Sequence, residues 1–307
     1  MAADSIALRE FDWSKVTSLR LRAESIAEGF YLGSHRSNRR GSGVEFSGHR
    51  NYVPGDDLRW LDRHALMRHA RLLVREFETE TDRALRLVVD ASASMGYKSE
   101  SAPASKLNYS ILLAAVLARV AIAGGDPVAV DWLGGKDCRW LPPLSGRQAF
   151  ERVVGVLESA RAHGDFHDDA TAVDYALAPV LRYARRGTSI TILTDLADLP
   201  EAIMARALGL CTHGRRVILI RVLDPVELNF DLRGLVSLRA LEGPLVVPTD
   251  ATSTKEHYLA ALHNENAEYS ARLAERGGRF VTVCTCDDPA DAVRKVIVGF
   301  AGGHSGK

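Results

Sequence analysis

The sequence predicts an α/β protein with a doubly wound, mostly parallel sheet and helices on both faces. From residue 83 onward, short β-rich runs alternate with longer runs in which apolar residues recur every three or four positions, a pattern typical of alternating strands and helices. The chain has 307 residues, of which 46% are hydrophobic and 25% charged. This length and composition are sufficient for a real core in a soluble globular protein.

Local patterns predict the individual elements. The strand candidates are short apolar runs at Ala84–Val89, Val128–Trp132, Ser189–Thr194, Val217–Val222 and Arg279–Cys284. The helix candidates carry a repeating apolar stripe and lie at Lys106–Ala123, Arg147–Arg161, Ala172–Arg185, Glu201–His213, Glu256–Arg276 and Pro289–Phe300. Pro200 and Pro289 stand near two helix starts, where a missing N–H is harmless. We expect a short antiparallel edge strand at Cys138–Leu141, ended by Pro142 and Pro143.

Two regions depart from this alternation. Residues 1–82 contain a helical start followed by a stretch rich in Gly and Arg. Residues 226–254 have the pattern of short β segments inserted between a strand and the next helix. We therefore predict one α/β domain at 83–307, with a small β-rich insertion at about 226–254, and an N-terminal extension at 1–82 packed on it.

Composition excludes several classes of protein. Lys and Arg together number 39, as do Asp and Glu, so no net charge draws the chain to nucleic acid or to a membrane surface. The apolar stretch Ile111–Ala123 is interrupted by Arg119 and is too short to span a bilayer, which predicts a buried helix. The N-terminus lacks the apolar core of a signal peptide. We expect a cytoplasmic protein that does not bind nucleic acid or insert directly into membranes.

The four cysteines are expected to be reduced. Cys138, Cys211, Cys284 and Cys286 are scattered without the spacing of a disulfide framework or a metal site. For the pair at 284 and 286, metal binding is the alternative to a strand end with two small side chains.

The segment Asp90-Ala-Ser92-Ala-Ser94 follows the first predicted strand of the sheet. One carboxylate and two hydroxyls on so short a loop suit a small hard cation such as Mg²⁺ or Mn²⁺. The same residue types also occur in an ordinary turn between a strand and a helix. The segment alone leaves both interpretations open.

Two further polar residues are expected near the same place, because ligands of an open parallel sheet gather at the carboxyl ends of its strands. Thr171 stands just ahead of a predicted helix, and Asp195 is the first polar stop after the strand at Ser189–Thr194. Taken singly, each is explained by helix capping or by turn formation.

Taken together, Asp90, Ser92, Ser94, Thr171 and Asp195 resemble the metal-ion-dependent adhesion site of the von Willebrand factor A fold. That pattern is Asp-x-Ser-x-Ser after the first strand, a Thr before a central helix and an Asp after the following strand. The resemblance implies this fold and one Mg²⁺ or Mn²⁺ ion per chain. It also implies that a carboxylate from a client protein binds the metal and that Asp195 holds the metal either directly or through water.

The stretch before the sheet resembles a bacterial family described as domain of unknown function 58. The resemblance covers roughly residues 30–225 and depends on the blocks Gly41–Phe46, Arg50–Asp62 and Ala70–Glu80, together with Leu223–Glu227 after the fifth strand. Arg63 departs from the family, which usually has an aromatic residue there. The resemblance implies a non-enzymatic module that works beside a MoxR-type AAA+ ATPase in assembling or maturing protein complexes.

Other functions are weighed against this one. A phosphatase of the haloacid dehalogenase type needs a second acid two residues after its first, where this chain has Ser92. A metal-dependent phosphoester hydrolase that uses the Arg-rich block at 36–75 as a phosphate clamp stays an alternative, as does a scaffold with a vestigial metal site. The same block is otherwise explained by ion pairs that hold the extension to the domain, or by a docking surface for an acidic partner. The His- and Asp-rich stretch His163–Asp169 is either a transition-metal cluster or a solvated loop.

Overall fold

A computed structural model of the chain describes residues 18–33, 46–51, 73–77, 84–135, 138–164, 170–197, 199–212, 214–239 and 246–301. The chain forms two compact units, one at Arg36–Asp82 and a larger one in which Met1–His35 joins Arg83–Lys307. In the smaller unit, strands β1 (Phe46–Asn51) and β2 (Leu73–Phe77) pair antiparallel. Most of the Arg-rich block lies outside the described residues, so its role stays a prediction.

The larger unit is built on a mostly parallel sheet. The described strands of this unit are β3 (Leu85–Asp90), β4 (Val128–Leu133), β5 (Leu141–Leu144), β6 (Ser189–Thr194), β7 (Arg216–Leu223), β8 (Leu235–Arg239), β9 (Val246–Asp250) and β10 (Arg279–Cys284). Six of them form one sheet in the order β5-β4-β3-β6-β7-β10, in which only β5 runs antiparallel to its neighbour. Counted along the chain, this is the strand order 3-2-1-4-5-6 of doubly wound folds. The predicted fold class is confirmed.

Helices cover both faces of the sheet. The described helices are α1 (Leu19–Gly33), α2 (Lys106–Ala123), α3 (Ala149–Ser159), α4 (Ala170–Tyr183), α5 (Pro200–Leu210), α6 (Pro225–Asn229), α7 (Ala251–Glu275) and α8 (Pro289–Ala301). One apolar core lies between the sheet and α1, α2, α3 and α8, and the other between the sheet and α4, α5 and α7. Leu87 and Val89 enter the first core and Val88 the second, as expected when strand side chains alternate in direction.

Helix α2 is the central helix of the first core. Its length and composition would allow it to cross a membrane, but 67% of it is buried inside the protein. The N-cap Ser105 accepts a hydrogen bond from the N–H of Asn108, which satisfies one of the free donors at the helix start. The prediction of a buried helix over Ile111–Ala123 is confirmed.

Two predicted elements differ in the structure. The edge strand lies at Leu141–Leu144, so Pro142 and Pro143 belong to it instead of ending it. Prolines are compatible with this position because an edge strand leaves some of its N–H groups without a ladder partner. The predicted insertion contains the antiparallel pair β8 and β9, but it begins with helix α6, which Asp224 and Glu227 start with a capping box.

The cysteine prediction is wrong for one pair. Cys284 and Cys286 form a disulfide at the end of β10, whereas Cys138 and Cys211 keep their thiols. The pair escaped sequence analysis because two residues so close in the chain do not resemble a disulfide framework. Together with Asp287 they form a group whose ligand atoms lie within 4.8 Å of one another, but the disulfide removes the thiolates that would bind a metal.

Candidate metal centre

The strand order places a crevice between the carboxyl ends of β3 and β6. These two strands are neighbours, yet the helices that follow them, α2 and α5, pack on opposite faces of the sheet. The chain thus leaves the two strand ends in opposite directions, which is the topological switch point where ligands of such folds bind. Asp90 ends β3, and Asp195 follows β6 directly.

Asp90 is buried, with 2% of its surface exposed. Its Oδ1 accepts a hydrogen bond from the Ser92 N–H at 2.9 Å, and its Oδ2 accepts one from the Thr194 hydroxyl at 2.6 Å. The carboxylate is therefore fixed by its own loop and by the neighbouring strand. Each of its oxygens retains a lone pair that a cation could use.

Ser92 and Ser94 bring their hydroxyls together beside this carboxylate. A short 3₁₀ helix over Ala93–Gly96 follows Ser92, and the two Oγ atoms lie 3.2 Å apart. The loop is held closely from β4, since the Ala91 N–H donates to the Leu133 carbonyl at 2.7 Å. Gly134 has a φ of +64°, and a Cβ there would lie 3.0 Å from the Ser92 nitrogen. Glycine allows both the turn and this close approach.

The segment that leads to Thr171 begins beside the same loop. The Ala93 N–H donates to the Gly164 carbonyl at 2.7 Å, and the His163 N–H donates to the Ala91 carbonyl at 2.9 Å. Residues 165–169 of the His- and Asp-rich stretch lie outside the described residues. Thr171 itself is exposed in the first turn of α4. Its place among the ligands stays a prediction, supported by the position of Gly164.

Asp195 is buried and both of its carboxylate oxygens have partners. Its Oδ2 accepts a hydrogen bond from the Lys106 ammonium at 2.7 Å, and its Oδ1 accepts one from the Ala197 N–H at 3.0 Å. The next residue, Leu196, adopts a left-handed φ of 57°. Such strain in a non-glycine residue is often found at functional sites.

Lys106 and Glu227 are the main residues that sequence analysis missed. The Lys106 side chain is 1% exposed, and its Nζ donates to Glu227 Oε1 at 2.6 Å as well as to Asp195. Glu227 Oε2 accepts the Asp224 N–H, while Asp224 Oδ2 accepts the Ser99 N–H, both at 2.9 Å. The sequence signals that could have found them are a lysine at the first position of a mostly apolar helix, and the Asp-Pro-x-Glu order of the motif at 224–227.

The electrostatics of the site show a surplus of negative charge. Burial, and then the nearby charge of Asp195, raise the pKa of Asp90 to about 7. Burial alone would lower the pKa of Lys106, but Asp195 and Glu227 outweigh it and raise that pKa above its usual value. Lys106 therefore stays charged, but it pairs with Asp195 and Glu227, and the nearby Arg221 pairs with Glu265. Among the described residues, no ion pair balances Asp90. A dication at this point would remove the repulsion that Asp90 experiences.

The donor set fits a small hard dication. Two neighbouring ligands of an octahedral Mg²⁺ lie about 2.9 Å apart at its usual bond lengths, close to the 3.2 Å between the Ser92 and Ser94 hydroxyls. The oxygens are hydroxyl and carboxylate oxygens, which Mg²⁺ and Mn²⁺ prefer. Asp90, Ser92 and Ser94 are suited to bind such an ion directly. Asp195, already paired with Lys106, is suited to act through a water molecule.

Comparisons with known proteins identify a family and relatives. A model of the family described as "Protein of unknown function DUF58" matches residues 48–268. The uncharacterized protein Rv1480 of Mycobacterium tuberculosis is 29% identical over 236 residues, which cover 75% of this chain and 70% of the relative.

Solved structures give weaker similarities. BatB from Bacteroides thetaiotaomicron is 16% identical with a TM-score of 0.44, covering 73% of this chain and 100% of that protein. The SpRpn10 VWA domain is 10% identical with a TM-score of 0.38, covering 69% of this chain and 94% of that domain. The fold assignment therefore depends on the strand order and the parallel pairing described above.

Proposed function

The chain belongs to the DUF58 family, and we propose that it is a protein-interaction module whose contacts depend on a divalent cation. In this proposal Asp90, Ser92, Ser94 and Thr171 hold the cation, and Asp195 supports it through water. The ion supplies an electrophilic centre with an open coordination position, to which a carboxylate of a client protein binds.

One observation carries the proposal: the charge imbalance at the switch point. Asp90 and Asp195 lie close enough for mutual repulsion to help raise the pKa of Asp90 to about 7. Buried carboxylates are normally balanced by cations or metals, because an unpaired buried charge is costly. A site that favours an added dication, and that supplies hydroxyls to bind it, is suited to ligand binding.

The family resemblance extends the proposal to a partner. We infer that the chain acts beside a MoxR-type AAA+ ATPase, which supplies force while this protein recognises clients or subunits in the assembly or maturation of protein complexes. The open metal position explains how recognition is selective: the client must present a carboxylate. Mg²⁺ suits this role since it takes few protein carboxylates and retains exchangeable waters.

The test is capture of the partners by the tagged, full-length protein. We expect the MoxR-type ATPase or a client to be captured in Mg²⁺ and to be lost in EDTA, in Asp90→Ala and in Thr171→Ala to the same extent. Asp231→Ala is the matched control, because it removes an exposed carboxylate paired with Lys255. Undiminished capture by both site variants in EDTA would contradict the proposal.

A scaffold without a metal is the second candidate, because Lys106 already supplies one cation to the carboxylates. In that case partners bind surfaces away from the crevice. Capture would then persist in EDTA and in Asp90→Ala, and it would not respond to added Mn²⁺.

A further inference from the structure

We propose that Lys106 is a positioning residue that holds Asp195 away from direct metal coordination and so keeps a coordination position open for the partner's carboxylate. This inference rests on the proposed function. To that function it adds a reason why the bound cation stays available to a second protein. The role belongs to a residue of helix α2, which is outside the predicted ligand set.

The geometry of Asp195 is the first argument. Its Oδ2 is 2.7 Å from the Lys106 ammonium and its Oδ1 is 3.0 Å from the Ala197 N–H. The Arg221 Nε also donates to the Asp195 carbonyl at 3.3 Å. Backbone and carboxylate are therefore both held in place. Direct binding of a cation by this carboxylate would compete with a buried ion pair.

The second argument is that Lys106 is itself fixed. Glu227 accepts a hydrogen bond from Nζ at 2.6 Å, and Glu227 in turn accepts the Asp224 N–H in the capping box of α6. The Tyr97 ring lies 5.7 Å from Nζ, within the range of a cation–π contact. An ammonium held by two carboxylates and an aromatic ring cannot easily follow Asp195 toward a metal, and leaving it half-paired in the interior would be costly.

The consequence for the metal follows from charge. A carboxylate paired with an ammonium donates less negative charge to a cation than a free carboxylate does. A cation with fewer direct carboxylate ligands binds more weakly, retains more exchangeable water and attracts an incoming carboxylate more strongly. Lys106 thus lowers the affinity of the protein for the cation and raises the affinity of the bound cation for the partner's carboxylate.

The test is to titrate the full-length, metal-free protein with Mn²⁺. Calorimetry measures the affinity, and water-proton relaxation reports the water bound to Mn²⁺. In Lys106→Met, Asp195 is free to bind the ion directly. We expect Mn²⁺ to bind about tenfold more tightly than in the wild type, with lower relaxation enhancement. Acetate, as a carboxylate probe, should displace water from the wild-type ion and have a smaller effect in Lys106→Met.

Two further variants keep the test decisive. Lys106→Gln removes the charge but keeps an amide that can still donate to Asp195 or Glu227, so it should shift Mn²⁺ affinity and relaxation in the same direction as Lys106→Met by a smaller factor. If circular dichroism shows that Lys106→Met is unfolded, this variant replaces it in the test. Lys98→Met is the matched control, since Lys98 is an exposed lysine on the preceding loop, and it should leave both readouts unchanged.

The outcomes separate this inference from the proposed function. A wild-type protein that binds no Mn²⁺ overturns both. Wild-type binding with unchanged or weaker affinity in folded Lys106→Met, or in Lys106→Gln where Lys106→Met does not fold, overturns only the role of Lys106 and identifies it as part of a structural ion pair.

Discussion

Two buried charge clusters lie on the same sheet and differ in their balance. Arg86 on β3 binds Asp131 on β4 through two hydrogen bonds of 2.8 and 3.0 Å, and both side chains are almost fully buried. At the switch point, Lys106 pairs with Asp195 and Glu227, while Asp90 lies near the like charge of Asp195. The first cluster is neutral, whereas the second retains negative charge.

The pKa values of the two aspartates show the same contrast. Burial raises the pKa of Asp131, and its hydrogen bond and charge interaction with Arg86 offset part of this rise. Burial also raises the pKa of Asp90, but there the neighbouring charge of Asp195 adds to the rise. A buried ion pair is costly to break from one side, because the remaining charge has no partner, whereas in our proposal the unbalanced cluster takes up a cation. Substitutions in the two clusters should therefore have different consequences.

The largest effect is expected from breaking the balanced pair. Arg86→Met leaves the Asp131 carboxylate buried without its partner, which should lower the free energy of unfolding by about 3–5 kcal/mol. Urea unfolding followed by circular dichroism measures this loss. The double variant Arg86→Met with Asp131→Leu should recover most of it, because an apolar pair of similar volume replaces the ions. A loss in the double variant equal to that in the single one would contradict this account.

The second prediction concerns pH at the unbalanced cluster. The pKa of Asp90 is raised to about 7 in the metal-free protein, so the folded state holds this proton more tightly than the unfolded state. The resulting stabilisation is present at low pH and is lost as the pH rises through 7. Relative to Asp90→Asn, the metal-free wild type should lose about 2–3 kcal/mol between pH 5 and pH 7.

Chemical denaturation of both proteins at a series of pH values, with a chelator present, measures this difference. Saturating Mn²⁺ should reduce the pH dependence of the wild type and leave that of Asp90→Asn unchanged. Parallel stability curves for the two metal-free proteins would show that Asp90 titrates normally.

The third prediction concerns the close approach of β4 to the site. Gly134→Ala forces a left-handed residue at a φ of +64° and places a Cβ 3.0 Å from the Ser92 nitrogen. The substitution should lower the free energy of unfolding by about 1–3 kcal/mol. It should also weaken Mn²⁺ binding, because it displaces the loop that contains Ser92. Gly146→Ala is the matched control, with a φ of +88° and open space around its Cβ. It should show the backbone strain alone, so equal Mn²⁺ affinity in the two variants would contradict the packing role of Gly134.

The smallest effect is expected at an exposed ion pair, which serves as a reference for both buried clusters. Arg272 binds Glu201 at 2.9 Å, with the Glu201 side chain 67% exposed, and this contact lowers the pKa of Glu201. Because water screens such a pair, Glu201→Gln should change the free energy of unfolding by less than about 1 kcal/mol. Thermal unfolding at low and high salt measures it, and a loss as large as that of Arg86→Met would remove the distinction between exposed and buried pairs.

Sequence analysis predicted the parts of the molecule that local pattern determines. The alternation of apolar runs predicted the parallel sheet, and the strand ends predicted that Asp90 and Asp195 meet. Lys106 and Glu227 could not be found in this way, because they are 121 residues apart in the chain and only the fold brings them to 2.6 Å. The strand at Leu141–Leu144 was misplaced for a related reason: only its edge position makes Pro142 and Pro143 acceptable.

The most direct test of the central claim, that the unbalanced cluster binds a divalent cation, is calorimetric titration of the metal-free protein with Mn²⁺ at pH 8, where Asp90 is ionised. We expect one ion per chain, with affinity reduced at least about 100-fold in Asp90→Asn and unchanged in Asp231→Ala. A wild-type protein that binds no Mn²⁺, or Asp90→Asn binding as tightly as the wild type, would contradict it.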